Sequence, residues 1–249
     1  MTEPQQRRTA QDGSKFYEWN GKRYFSVTTI LNALSKPALV GWAAKEAAKY
    51  AVTNMDYLNE LSSKDPAATI DLIKGASWRI TQASMDLGTR VHDAVESQIN
   101  GEKPLVDADV APFAVAFNKF IEETGFKPLI SEGTIFNEKE CYAGTFDIIG
   151  DLDGDLVLVD TKSGNNIYPE VALQLAAYSR GDFISRPDGT TQPMPVVDRA
   201  FVLHLRPKGY KFVEANISEE VYTSFLYVRE AYRWQTETSK NVLTPYRKA

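Results

Sequence analysis

Residues 144–162 read GTFDIIGDLDGDLVLVDTK, and this stretch decides the fold that the sequence predicts. Two apolar runs flank the DGD triplet at residues 153–155, a composition typical of a tight turn between two strands. The second run, residues 156–161, leads into Asp160 and Lys162. Because side chains alternate along a strand, these two residues point to the same face. The stretch therefore predicts a hairpin with an acid and a base at one end.

A second carboxylate, Asp147, precedes the first apolar run of this hairpin. Hairpin pairing can bring Asp147 beside Asp160, and two close carboxylates repel unless a proton or a cation lies between them. Hard oxygen ligands on a rigid strand pair suit Mg²⁺ or Mn²⁺. Lys162 would then orient a water molecule or neutralise phosphate charge. Taken alone, Asp160 and Lys162 are more typical of a plain ion pair at the end of a strand.

The rest of the chain predicts helices first and strands later. A hairpin is expected at residues 16–31, with Asn20-Gly21 as its turn. Helical spacing, caps and prolines predict further helices at residues 38–52, 66–74, 78–99 (with an interruption near Gly88), 111–124, 169–178 and 218–237. Apolar and aromatic runs predict strands at residues 129–137, 142–152, 156–161, 199–205 and 210–217. This order predicts an α/β fold with a mixed sheet.

Composition sets limits on the class of protein. The 249 residues carry a net charge of −5 and a single cysteine, Cys141, which excludes an internal disulfide and fits a reducing cytoplasm. The acidic total argues mildly against a protein that coats nucleic acid, but not against local binding through bound cations. No run of residues is apolar enough to span a membrane. The polar residues 1–15 are expected to form a disordered leader, before a mainly helical region at 16–125 and a core domain at 126–249.

Four short blocks occur in order along the chain. They are GTRVH at residues 88–92, GTFD at 144–147, DTK at 160–162 and QLAAY at 174–178. Together they resemble the motif set of the PD-(D/E)xK nuclease superfamily, in its RecB-like branch, and most closely the exonucleases of that branch carried by phages. Residues 26–48 also look like the amino-terminal region of the phage members.

The resemblance implies a restriction-endonuclease-like mixed sheet flanked by helices, with a helical amino-terminal region covering the site. It implies a Mg²⁺- or Mn²⁺-dependent nuclease that hydrolyses DNA. The expected enzyme is an exonuclease that acts on single-stranded DNA in recombination, repair or replication. The alternatives are an endonuclease of the same superfamily and a non-catalytic DNA-binding partner that keeps the fold. A recombinase, a helicase or a single-strand-binding protein would be its partner, in the cytoplasm of a bacterium or of a phage's host. Relatives with an iron–sulfur cluster use four cysteines, and Cys141 alone cannot hold one.

The resemblance also assigns roles to residues. The expected metal ligands are His92, Glu132, Asp147, Asp160 and the carbonyl of Thr161. Lys162 is the expected catalytic lysine, together with Asp147 and Asp160. The residues expected to contact substrate are Arg90, Gln174 and Tyr178.

Several of these residues have a simpler interpretation. His92 can pair with Glu96 one helical turn on, and Arg90 with the same glutamate or with Asp93. Gln174 and Tyr178 can be a buried hydrogen-bonded pair, and Glu132 a solvated residue at a strand edge. His204, within an apolar strand, is expected to be structural.

Overall fold

The structure is a computed structural model that describes residues 5–9, 15–102, 106–186 and 189–243. It is a mixed α/β arrangement with two mixed β-sheets flanked by helices. The strands are β1 (Gln5–Thr9), β2 (Lys15–Trp19), β3 (Lys22–Ser26), β4 (Lys127–Ser131), β5 (Thr134–Asn137), β6 (Tyr142–Thr145), β7 (Ile148–Leu152), β8 (Asp155–Lys162), β9 (Phe183–Ser185), β10 (Thr191–Pro193), β11 (Arg199–Arg206) and β12 (Gly209–Ala215).

The helices differ widely in length. They are α1 (Val27–Ile30), α2 (Pro37–Thr53), α3 (Met55–Lys64), α4 (Pro66–Lys74), α5 (Ala76–Ile99), α6 (Ala111–Thr124), α7 (Glu170–Tyr178) and α8 (Glu219–Thr236). Short 3₁₀ turns cover Leu31–Ala33 and Thr238–Asn241. Over the part of the chain that the structure describes, no helix combines the length and the apolar character that crossing a membrane requires.

The five-stranded sheet has the order β12-β11-β8-β7-β4 and contains the hairpin predicted at residues 144–162. Its turn is confirmed, because Asp153 and Gly154 both have positive φ, as the tightest hairpin turns require. β8 pairs with β7 in antiparallel and with β11 in parallel fashion. The centre of β8 is fully buried, which explains why it is an unbroken apolar run.

Helices pack on both faces of this sheet. On one face Phe120 of α6 contacts the rings of Tyr210 and Phe212 on β12. On the other face, Leu175 of α7 and Phe225 of α8 belong to the main apolar core with residues of β8 and β11. The sheet is therefore held between two apolar layers, and polar groups collect at the ends of its strands.

The seven-stranded sheet has the order β1-β2-β3-β6-β5-β9-β10. The predicted hairpin turn is confirmed, since Asn20 and Gly21 have φ of 49° and 72°. β3 pairs in parallel with β6, which ties the amino-terminal hairpin to the second half of the chain. Contacts along the chain define two compact units, residues 35–90 and residues 1–34 with 91–249.

The largest departure from the sequence prediction is a crossing between the two sheets. The strands predicted at 129–137 and 142–152 are each broken, so that β4 and β7 belong to one sheet and β5 and β6 to the other. At the break, the amide of Glu132 donates to the carbonyl of Asp147 and that of Phe146 to Gly133. The ring of Phe146 lies so close that a Cβ on residue 133 would be 2.7 Å from Phe146 Cε1. Glycine is therefore required at this crossing.

Other elements differ in smaller ways. The helices α2, α4, α5 and α6 are confirmed, although α5 continues through Gly88 without a break. The sequence prediction missed α3, in which Leu58 alone is buried, and the short strands β9 and β10. Residues 27–30 form α1 instead of extending a strand. Gln5–Thr9, within the predicted leader, pairs with β2, while residues 1–4 and 10–14 lie outside the described residues.

The unit of residues 35–90 contains α2, α3, α4 and the first part of α5. The Asp65 side chain accepts a hydrogen bond from the Ala68 amide, which confirms the predicted cap of α4. The guanidinium of Arg79 lies 4.8 Å from the centre of the Tyr50 ring.

Gly150 on β7 provides a test of the packing. A Cβ at this position would lie 2.6 Å from the Lys127 carbonyl and overlap the Phe126 ring. We expect Gly150→Ala to lower the free energy of unfolding by about 1–3 kcal/mol, measured by thermal or urea unfolding. Gly164→Ala is the control, since nothing lies within 4 Å of its added Cβ. Equal stability of the two variants would contradict the packing described.

Candidate metal centre

Three side chains converge at the crossing between the sheets. Possible ligand atoms of His92, Glu132 and Asp147 all lie within 4.8 Å of one another. α5 provides His92, whose Nδ1 lies 3.6 Å from Asp147 Oδ2. Glu132 and Asp147 come from the two chain segments that cross. An imidazole with two carboxylates is a donor set that suits Mn²⁺ and accommodates Mg²⁺.

The space beside these side chains is small. Its cavity volume is about 10 Å³, which is room for one water molecule or one ion. Thr161 also lines it, and the buried Thr161 Oγ1 has no hydrogen-bond partner among the described residues. A buried hydroxyl without a partner is costly unless a further group satisfies it. The residues present therefore fit a single cation with its waters.

Glu132 has an unusual backbone and an unusual acidity. Its φ of 52° is uncommon for a residue other than glycine, and the crossing imposes it. Burial, followed by the charge of Asp147, raises the pKa of Glu132 to about 7, and His92 acts in the opposite direction. Without a cation, Glu132 thus holds a proton close to neutral pH. The interpretation of Glu132 as a solvated edge residue does not fit this position.

Asp160 lies next to this cluster but is engaged elsewhere. It is 2% exposed, and its Oδ1 accepts a hydrogen bond of 2.8 Å from Gln174 Nε2. Its Oδ2 lies 2.6 Å from Lys162 Nζ. Burial raises the pKa of Asp160, Lys162 lowers it, and Asp147 raises it further, with a net increase. Asp160 is therefore not among the three residues whose ligand atoms converge, and its predicted role as a metal ligand stays a prediction.

The predicted approach of Asp147 to the end of β8 is present in the structure. Asp147 Oδ2 accepts a hydrogen bond of 2.6 Å from the backbone amide of Thr161, the residue after Asp160. This bond links the cluster of His92, Glu132 and Asp147 to the pair of Asp160 and Lys162. The two sets of groups form one continuous polar site at the end of the five-stranded sheet.

Lys162 remains a cation in this site. Burial is the largest single influence and lowers the pKa of Lys162, but the carboxylates of Asp160 and Asp147 together raise it above its ordinary value. Its side chain is 37% exposed, so it is accessible from solvent. Lys162 can therefore stabilise negative charge on a bound group, and it is not suited to accept a proton.

Gln174 and Tyr178 support this pair from α7. Gln174 Nε2 donates to Asp160 and lies 3.3 Å from the Tyr178 hydroxyl. Tyr178 is 2% exposed, and its ring packs directly against Gly144, where any Cβ would overlap it. The structure thus contains a buried Tyr178 that is hydrogen-bonded to the half-buried Gln174, and direct contact of Tyr178 with substrate does not fit its burial.

The remaining predicted residues lie outside the cluster. Arg90 is half-buried and belongs to the unit of residues 35–90. His204 is a structural strand residue, as expected, and its Nε2 lies 2.7 Å from the Gly164 carbonyl. Sequence reasoning missed Glu96 as a site residue, although it lines the cavity one helical turn after His92. The spacing of these two residues on a helix was the signal for it.

A larger cavity of about 630 Å³ lies at the opposite end of the five-stranded sheet. It is lined by Arg180, Arg199 and Glu214 among others, and the Arg199 guanidinium is paired with Glu214 and Asp155. None of the predicted site residues lines it. Its charged groups neutralise each other, so we assign the chemistry to the smaller site.

Comparisons with known proteins give little further information. No protein-family model and no curated protein matches the sequence. One similar solved structure is described as "Crystal structure of SSO0001". It is 10% identical in sequence, covers 81% of this chain and 88% of its own, and has a TM-score of 0.35. A likeness this distant does not assign an activity.

Metal binding is the first test of the site. We expect Mn²⁺ to bind and to stabilise the protein by about 2.7 kcal/mol when its concentration is 100 times the Kd. Asp147→Asn should abolish both effects because it removes a central ligand. Asp151→Asn, at the other end of β7, is the control. The measurements are titration calorimetry and thermal unfolding, and unchanged Mn²⁺ binding in Asp147→Asn would show that the site is misassigned.

Acidity provides a second test. When a chelator removes divalent cations, Glu132 in the folded protein has a pKa of about 7, whereas the ordinary pKa is 4.5. Stability should therefore fall as the pH rises from about 5 to about 7. Glu132→Gln should remove this part of the decline, a change in Tm on the order of 4–8 °C. Glu122→Gln, on the exposed face of α6, is the control, and identical pH profiles for all three proteins would contradict the assignment.

Proposed function

We propose that this protein is a divalent-metal-dependent nuclease that hydrolyses the phosphodiester bonds of DNA, as an exonuclease on single strands. The observation that carries the proposal is the paired Asp160 and Lys162 beside the converging His92, Glu132 and Asp147. A carboxylate cluster beside a permanently charged lysine is suited to a substrate with dispersed negative charge, such as a phosphodiester.

Each residue has a role in this chemistry. A bound Mg²⁺ or Mn²⁺ would supply Lewis acidity and lower the pKa of water. His92, Glu132 and Asp147 would hold it, with Thr161 beside them. Lys162 would stabilise the additional negative charge that develops on the phosphate.

Asp160 and Gln174 determine where the Lys162 ammonium lies. The carboxylate of Asp160 is fixed by the Gln174 amide on one oxygen and holds Lys162 Nζ at 2.6 Å with the other. Such preorganisation avoids reorientation of the charges during the reaction. Tyr178 in turn keeps Gln174 in place from within the core.

The finer features of the fold support the same class. The strands β7, β8, β11 and β12, with α7 packed beside them, agree with the restriction-endonuclease-like sheet that the resemblance implies. The four sequence blocks contribute to α5, to the crossing, to the end of β8 and to α7. The preference for single strands and for ends rests on the resemblance to phage exonucleases.

Substitution of the pair tests the chemistry. We expect Asp160→Asn and Lys162→Ala each to lower cleavage of labelled single-stranded DNA in Mn²⁺ by about 100-fold or more. Lys127→Ala, at the opposite edge of the same sheet, should cleave like wild type. Wild-type activity of Asp160→Asn would overturn the proposal.

His92 provides a distinction between metals. We expect His92→Ala to lose less activity in Mn²⁺ than in Mg²⁺, because Mg²⁺ demands near-ideal octahedral geometry and so tolerates the loss of one ligand less well than Mn²⁺ does. Cleavage rates in the two metals, each at a saturating concentration, give the comparison. An equal loss in both would exclude His92 as a ligand.

The form of the substrate tests the exonuclease assignment. Linear single-stranded DNA should be degraded to short products, whereas a single-stranded circle of the same sequence should survive. Blunt duplex should be slow, since separating strands costs ~1.4 kcal/mol per base-pair step. Rapid cutting of the circle would leave an endonuclease with the same chemistry.

A further inference from the structure

The end of the five-stranded sheet that carries the site has an uneven distribution of charge. On one side, Glu132 follows β4 and Asp147 precedes β7. On the other side, β8 ends at Lys162, β11 ends at Arg206, and Lys208 lies in the turn before β12. The charged groups at this end are therefore acidic beside β4 and β7 and basic beside β8, β11 and β12.

Strand register places three basic residues in one row. Lys162 on β8 pairs with His204 on β11, and His204 pairs with Lys211 on β12. Residues opposite each other on paired strands present their side chains to the same face. With neighbouring strands about 4.8 Å apart, Lys211 lies roughly 10 Å from Lys162 along the row.

The two outer lysines of this region are available to a ligand. Lys208 and Lys211 are exposed, and no ion pair or hydrogen bond within residues 5–9, 15–102, 106–186 and 189–243 engages either ammonium. Arg206 differs, because its guanidinium donates to the Gly164 carbonyl at 2.6 Å. Arg206 therefore holds the loop after β8, and Lys208 and Lys211 carry the unneutralised charge.

The same loop presents an aromatic ring. Arg206 and His204 both contact the Gly164 carbonyl and so fix the chain that leads from Lys162 to α7. Tyr168 in this chain is 56% exposed. An exposed ring on the loop after β8, together with unpaired lysines in the turn before β12 and on β12, is the combination with which proteins bind single nucleic-acid strands, through stacking and phosphate contacts.

The opposite end of the sheet has the reverse charge. Its carboxylates are Asp151, Asp153, Asp155, Asp198 and Glu214. There the Arg199 guanidinium is already paired with Asp155 and Glu214. Carboxylates therefore outnumber cations at that end, whereas the end with the candidate metal centre presents the exposed, unpaired Lys208 and Lys211 to a polyanion.

We propose that Lys208, Lys211 and Tyr168, here named the basic edge, bind the single nucleic-acid strand on the side of Lys162 away from the metal centre. The inference rests on the proposed function and specifies where its substrate lies. The lysines contact phosphates next to the one being cleaved, and Tyr168 stacks on a base. The row includes Lys162, the residue proposed to stabilise negative charge on the phosphate that is cleaved. The ligand expected along the row is therefore a phosphodiester chain and not an acidic protein segment.

Binding without cleavage tests the basic edge. Fluorescence anisotropy with a labelled oligothymidylate in EDTA measures the Kd as a function of salt. We expect the double variant K208Q/K211Q to bind at least about tenfold more weakly and the slope of log Kd against log salt to fall by about 1.4, or about 0.7 per lysine. Tyr168→Ala should weaken binding on the order of tenfold with an unchanged slope.

The control is K127Q/K139Q, which removes the same charge from exposed lysines on β4 and in the turn after β5. It should bind like wild type. A wild-type Kd and slope for K208Q/K211Q would overturn the proposal, and this includes the case in which the basic edge binds another partner. An equal loss of affinity in the control variant would overturn it as well.

Cleavage assays separate this inference from the proposed function. In Mn²⁺, K208Q/K211Q should raise KM by more than it lowers kcat, since the lysines act on binding. If wild-type protein fails to cleave in Mn²⁺ while K208Q/K211Q still loses affinity in EDTA, the nuclease assignment is wrong and the basic edge stands. If wild type cleaves and K208Q/K211Q keeps its KM and its Kd, the basic edge is wrong and the nuclease assignment stands.

Discussion

The crossing of two paired chain segments from one sheet to the other is the constraint on which the site depends. The hydrogen bonds between Glu132 and Asp147 and between Phe146 and Gly133 keep the segments together where both change sheets. The Phe146 ring fills the crossing and leaves no space for a side chain at residue 133. As a result, two carboxylates from separate strands face the same small cavity.

Electrostatics in the site would be unfavourable without compensation. Glu132 keeps a proton near neutral pH because it is buried beside Asp147. Asp160 is buried as well, but Gln174 donates to one of its oxygens and Lys162 forms an ion pair with the other. Near neutral pH the Glu132 carboxyl thus holds a proton and the Asp160 carboxylate is paired with Lys162. A cation can take the place of the proton on Glu132. Stability of the protein and readiness to bind metal are therefore opposed, as is common at functional sites.

The distribution of charge matters more than its total. The net charge of −5 describes the whole chain, whereas one end of the five-stranded sheet exposes Lys208 and Lys211 beside Lys162. β11 pairs in parallel with β8 and in antiparallel with β12, and this pairing creates the row. Lys162 and Lys211 are almost 50 positions apart in the sequence, because α7 lies between their strands along the chain. A bound cation would extend the attraction for a polyanion to the acidic side of the same end.

The sequence by itself determined the features that depend on near neighbours. Alternation along a strand placed Asp160 and Lys162 together, and helical spacing placed Gln174 beside Tyr178. The resemblance lists Glu132 among the expected ligands, but no local pattern places it beside His92 and Asp147. Only the tertiary structure does so, because Phe146 packs on Gly133 at the crossing between sheets and the adjoining Glu132 is hydrogen-bonded to Asp147 there. Local patterns record periodicity and turns, but the partner of a strand is chosen by contacts between distant residues, which no short window of sequence contains.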